Sequence, residues 1–193
     1  MKPRALVPSH DAAIASTCAW IERAVIGLNL CPFAKSVYVK RQIRYVVSDA
    51  QTPVALLDNL EVELRTLVQT DPAVVETTLL IHPQALADFL EYNEFLDVAE
   101  TALKRLGLRG VIQIASFHPQ YQFAGTASDD VTNYTNRSPY PMLHLLREAS
   151  VEQALAAVPE AKDIPQRNIE TMRRLGVAGW KALGFATGVP KAE

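Results

Sequence analysis

The chain has 193 residues, 49% hydrophobic and 21% charged, which allows one domain with a sizeable core. Its formal net charge of −2 gives no reason to expect nucleic acid or an acidic membrane surface as partner. No apolar run approaches the roughly 18 residues of a membrane span. The start, MKPRALVPSHD, lacks the apolar stretch of a secretory signal. The two cysteines, Cys18 and Cys31, fit a reducing compartment better than a disulfide scaffold, so a cytoplasmic location is expected.

Residues 1–10 are expected to form a loose arm. Asp11 can cap a helix over 11–28, with Ile14, Cys18, Ile21, Val25 and Leu28 on one face. Cys18 then reads as a small core hydrophobe. Pro32 keeps Cys31 out of the helical region, so the thiol falls on an extended turn beyond the helix end. QIRYVV (42–47) reads as a strand. Thr52 caps and Pro53 opens the next helix. TTLLI (77–81) is a buried strand closed by His82-Pro83. A long helix over 84–106 ends with Gly107 at its C′ position. VIQIASF (111–117) is a third strand, closed again by His-Pro, at His118-Pro119.

The middle therefore reads β-α-β-α-β, and the predicted fold is an α/β sandwich: one domain over 1–193, with a small, mostly parallel sheet and packed helices. Segments 36–40 or 119–125 could add short strands and make the sheet mixed. In such sheets, ligands gather beyond the carboxyl ends of the strands. Those ends carry His82 and His118, so both histidines are expected on one edge of the sheet.

After the third strand comes a polar loop of about twenty residues, a length compact domains rarely keep without a use. Beyond it, Ser138 is expected to cap a helix running from the Pro139-Tyr-Pro141 segment to about Val158, with His144, Arg147 and Glu148 on one edge. Asp163 and Pro165 open a last helix ending at Gly176. The tail 177–193 is expected to dock in part through Trp180 and Phe185.

Three functional readings follow. In the first, an enzyme of hydrolase or transferase type acts on a small anionic metabolite. His118 is the acid/base, with His82 and Cys31 beside it. Arg137, just before a helix start, holds the anion with Asn133 and Asn136, and Tyr121 and Asp130 complete the rim. In the second, Cys31, His82 and His118 bind a divalent metal such as zinc. In the third, a non-catalytic module binds a protein or effector through Tyr121, Phe123 and Tyr134. Plainer readings stand beside them: Arg137 ties the loop down through its own carbonyls, the aromatics pack the loop on the sheet, and Cys31 is a free thiol. No nucleotide-binding or metal fingerprint is present, and nothing specifies an oligomeric state.

The segments LNLCPFA (28–34), FHPQYQFAGT (117–126) and NYTNRSPYPMLHLLREASV (133–151) resemble an uncharacterised bacterial family whose designation is domain of unknown function 1415. The resemblance spans most of the chain. It implies a cytoplasmic bacterial protein and supplies no catalytic residues.

Overall fold

The computed structural model describes residues 7–158 and 161–185. Ser9, two residues before the expected cap, opens helix α1 (His10–Trp20) by accepting the Ala12 N–H at 3.2 Å. The helix then widens into a π-helical stretch, Ile21–Ile26. A Cβ at Gly27 would run into the Arg23 carbonyl oxygen, so glycine suits the point where the widened turn closes. The buried face is rotated from the expected stripe: Ala13, Thr17, Trp20, Ile21 and Ala24 are buried, while Ile14, Cys18, Val25 and Leu28 are half-buried. Alanines bring the backbone close, Trp20 fills the remaining space, and Thr17 tolerates burial because its hydroxyl donates to Ala13 O at 2.8 Å.

Helix α2 (Ala34–Val39) takes the residues offered as an extra strand at 36–40, and 119–125 forms no strand either. Strand β1 (Ile43–Val47) and helix α3 (Pro53–Gln69), capped by Thr52, follow as expected. So does strand β2 (Thr77–Ile81). Helix α4 (Phe89–Arg105) starts later than expected, because Asp88 accepts the Leu90 and Glu91 N–H groups at 2.8 and 3.1 Å. Gly107 ends it at φ 70°, with Leu108 N–H donating back to Leu103 O at 2.9 Å. Strand β3 (Ile112–Phe117) comes next.

The largest departure follows Ser138. The expected helix is instead strand β4 (Met142–Arg147), followed directly by helix α5 (Glu148–Ala156). A residue before proline is pushed towards extended backbone, so Pro139 and Pro141 feed a strand rather than a helix. MLHLLR suits either period. As a strand it sends Met142, His144 and Leu146 to one face, and Leu143 and Leu145 to the other.

The sheet order is β1-β2-β4-β3. Strands β1, β2 and β3 run the same way, and β4 lies antiparallel between β2 and β3. The fold is α/β, with three strands aligned and the mixing supplied by β4. One face packs on α3 and α4, where Leu80, Leu143 and Leu145 meet Leu60, Leu64, Tyr92 and Leu103. The other packs on α1, its π-helical extension and helix α6 (Ile164–Ala182), where Ile81 and Met142 meet Trp20, Met172 and Trp180. Gly176, at φ 65°, kinks α6 where the sequence placed its end. Beyond the kink Trp180 is buried, edge-on to Phe185 at 5.4 Å. Most of the expected arm, and the tail beyond 185, lie outside the described residues.

Candidate functional site

Alternation along the strands decides where the two His-Pro histidines go. Ile81 and Phe117 share one face of the sheet with Met142, so His82 and His118 turn to the opposite side, towards α4. There both are fully buried and flank Tyr92, with ring centroids 5.8 and 5.0 Å from it. His118 Nε2 lies 3.1 Å from Leu86 O, and its Nδ1 accepts the Gln120 N–H at 3.0 Å. A carbonyl only accepts, so Nε2 carries the proton and the ring is fully satisfied. His82 Nδ1 donates to Ala85 O at 3.0 Å, while its Nε2 is buried without a partner among the described residues. Burial drives both rings down to about 4, so both are neutral near pH 7. Together they clamp the 82–88 turn, where Leu86 sits at φ 55°. The sequence-based expectation that they share one edge is met, and their hydrogen bonds are to backbone.

The loop's polar residues are likewise engaged by the protein itself, mostly within the loop. Asn133 is fully buried: its Oδ1 accepts from Phe123 N–H and Thr126 Oγ1, and its Nδ2 donates to Ala127 O. Asn136 donates to Ser116 O at 3.2 Å. Arg137 donates to the carbonyls of Tyr121 and Ser128 and lies 4.3 Å over the Tyr134 ring. Asp130 caps the 3-10 helix Val131–Asn136 by accepting the Thr132 N–H and hydroxyl, which holds its carboxyl below the usual range. Tyr121 packs against Phe89 and Phe123. The plainer reading of the loop, a self-tied structure, describes these bonds.

Cys31 is not brought to the two histidines. It lies on the turn between the π-helical stretch and α2, over the sheet face they turn away from. Among the described residues, no three His, Cys, Asp or Glu side chains are grouped to hold a metal ion. The predicted Cys31–His82–His118 metal set is corrected accordingly: the pleat separates it.

Cys31 instead lines a cavity of about 320 Å³, at the small end of the roughly 300–1,000 Å³ usual for small-molecule sites. The sheet supplies the floor, through Thr77, Leu79, Ala115, His144 and Leu146. Trp20, Ile21 and Val25 form one wall, Phe33 and Val37 a second, and Val151 and Ala154 of α5 a third. The lining is almost wholly carbon. Arg147 and Glu76 also border it, but the Arg147 guanidinium donates to the carbonyls of Leu67, Thr70 and Val75, which end α3 and precede β2.

The polar group at the centre of the floor is His144. Thr77 Oγ1 lies 2.6 Å from Leu145 O and 2.7 Å from His144 Nε2. Thr77 has one hydroxyl proton, and the carbonyl must receive it. His144 Nε2–H therefore donates to Thr77 Oγ1, and Nδ1 is the bare nitrogen. Burial lowers this histidine to about 4, so it is neutral. Its Nδ1 makes no hydrogen bond to a described residue and is not sealed from solvent, and His144 borders the cavity. Sequence reasoning placed His144 on a helix edge and passed over Thr77. Period-two alternation through Met142, His144 and Leu146, behind two prolines, was the signal available.

An α/β sandwich with a carbon-lined cavity over its one antiparallel strand is the class that fold and site define. Over residues 12–182 the chain matches the family described as "Protein of unknown function (DUF1415)", and it belongs to that family. No curated protein and no solved structure matches it. Among the described residues, no helix is long and apolar enough to cross a membrane.

Proposed function

We propose that the chain is a small-molecule-binding protein whose ligand fills the cavity over β4 and presents a hydrogen-bond donor to His144 Nδ1. The observation that carries this reading is a bare imidazole nitrogen, its tautomer fixed by Thr77, opening into an otherwise apolar cavity. Burying apolar surface supplies affinity at about 25 cal/mol per Å², and the single acceptor supplies orientation. The reading keeps the expected small molecule but moves it from the strand-end histidines to β4. It favours a neutral ligand over an anionic one, because an unpaired charge in an apolar cavity costs several kcal/mol and the Arg147 Nη2 is already engaged with three carbonyls, while its Nε is buried and has no partner among the described residues.

Benzyl alcohol and toluene test it, since they share a ring and differ in the donor. Trp20 lines the cavity and reports occupancy by fluorescence. Benzyl alcohol is expected to bind several-fold more tightly than toluene, as one hydrogen bond of about 1 kcal/mol requires. In His144→Leu that preference should vanish or reverse. Equal affinities in the wild type, or no binding of either, contradict the reading.

A further inference from the structure

We infer that Cys31 is a nucleophile acting on a small neutral acyl ester or thioester bound in this cavity, with His144 Nδ1 as its base and Thr77 as the residue that positions the base. The inference rests on the cavity reading and adds a reaction to it. A thiol nucleophile needs a base nearby, and the base needs a third group to fix its tautomer. Thr77, anchored on Leu145 O, holds the His144 proton on Nε2 and leaves Nδ1 free to accept another.

Cys31 borders the same cavity. Its turn is held at the residue before it: Leu30 N–H donates to Val25 O at 2.9 Å, and Asn168 of α6 donates to Leu30 O at 2.9 Å. The thiol makes no hydrogen bond to the imidazole in the ligand-free chain, and such contacts commonly tighten only with substrate present. Cys18, by contrast, does not line the cavity, and burial pushes its thiol up. The carbon lining suits an uncharged acyl group.

The step balances without a cofactor. The Cys31 S–H proton passes to His144 Nδ1 as Sγ bonds to the acyl carbon. The bond from that carbon to the leaving oxygen or sulfur breaks, and the leaving atom takes the proton back from Nδ1. Water then attacks the acyl-enzyme, giving its proton to Nδ1, and the Sγ–carbon bond breaks as the thiol is restored.

The test uses para-nitrophenyl butyrate with the full chain, reading nitrophenolate release and the butyryl adduct by peptide mass spectrometry. The adduct is expected on Cys31, at a rate about 100-fold lower in His144→Gln, as loss of a general base implies. Cys18→Ser should leave the rate unchanged. Thr77→Val should slow acylation, and Thr77→Ser should restore it, which a purely structural role for Thr77 would not require. Should His144→Gln fail to fold, competition in the wild type decides: saturating benzyl alcohol should suppress Cys31 acylation. An adduct confined to Cys18, no adduct, an undiminished rate in folded His144→Gln, or acylation indifferent to benzyl alcohol overturns the inference. If benzyl alcohol binds through His144 while Cys31 stays unacylated, only the nucleophile fails. If benzyl alcohol does not bind, the cavity reading fails with it.

Discussion

Three buried or half-buried histidines share one charge state and differ in what their second nitrogen meets. His118 has both nitrogens satisfied by backbone. His82 has one satisfied and one sealed in without a partner among the described residues. His144 has one satisfied by Thr77 and one open to a carbon-lined cavity. The first two sit at the carboxyl ends of parallel strands, where α/β proteins usually bind ligands; here they clamp a turn. The third sits mid-sheet on the strand that runs the other way. A histidine's availability for chemistry follows from its unpaired nitrogen and the space before it, more than from its place in the topology.

Acid should make the largest difference. His82 and His118 fall from an ordinary 6.5 to about 4 on folding, so the unfolded chain binds protons that the folded chain refuses. Their neutral-state stability is complete above about pH 6.5 and is lost as pH falls towards about 4. Near pH 5 the loss should be on the order of 2 kcal/mol for each. Urea unfolding near pH 7 and pH 5 measures it, and His144 adds in the same direction. Equal stability at the two pH values would show that these rings are not held neutral.

Next comes the loop. Asn133→Ala removes three hydrogen bonds and orphans buried partners, so it should cost about 3 kcal/mol. Benzyl alcohol affinity in the folded fraction should not change. Arg137→Gln should cost less, about 1–2 kcal/mol, from two carbonyl bonds and the contact with Tyr134. It too should leave the cavity untouched. A folded Arg137→Gln protein that loses ligand affinity would return the site to the loop. His144→Leu should have the smallest effect on stability, about 1 kcal/mol, because it removes the one bond to Thr77, whose hydroxyl keeps Leu145 O, and otherwise puts an apolar group in place of an open acceptor. Its effect on ligand discrimination should be the largest of the series.

Much of the frame was legible in the sequence. Strands β1 to β3, the Thr52 and Gly107 caps and the Gly176 break rest on short-range rules, and the structure keeps them. Strand β4 was not legible as a strand, because MLHLLR fits both periods and only pairing between β2 and β3 selects one. The candidate site went with it: once His144 is read as helical, its cross-strand neighbour Thr77 cannot be found. The loop drew attention through its density of polar side chains, but composition cannot distinguish groups aimed at a ligand from groups aimed at their own backbone. Asn133 and Arg137 look alike in either role. Cys31 stood out in the sequence, but its neighbours depended on which sheet face it covers, and the pleat decides that.

The central claim is that the open nitrogen of His144, rather than the histidines at the strand ends, receives a ligand. Nitrogen NMR of the labelled imidazoles at neutral pH, with and without benzyl alcohol, tests it most directly. The account predicts three neutral rings, with the His144 proton on Nε2, and a shift on benzyl alcohol addition at His144 Nδ1 while His82 and His118 stay fixed. A His144 proton on Nδ1, or a response at His82 or His118 with none at His144, would contradict it.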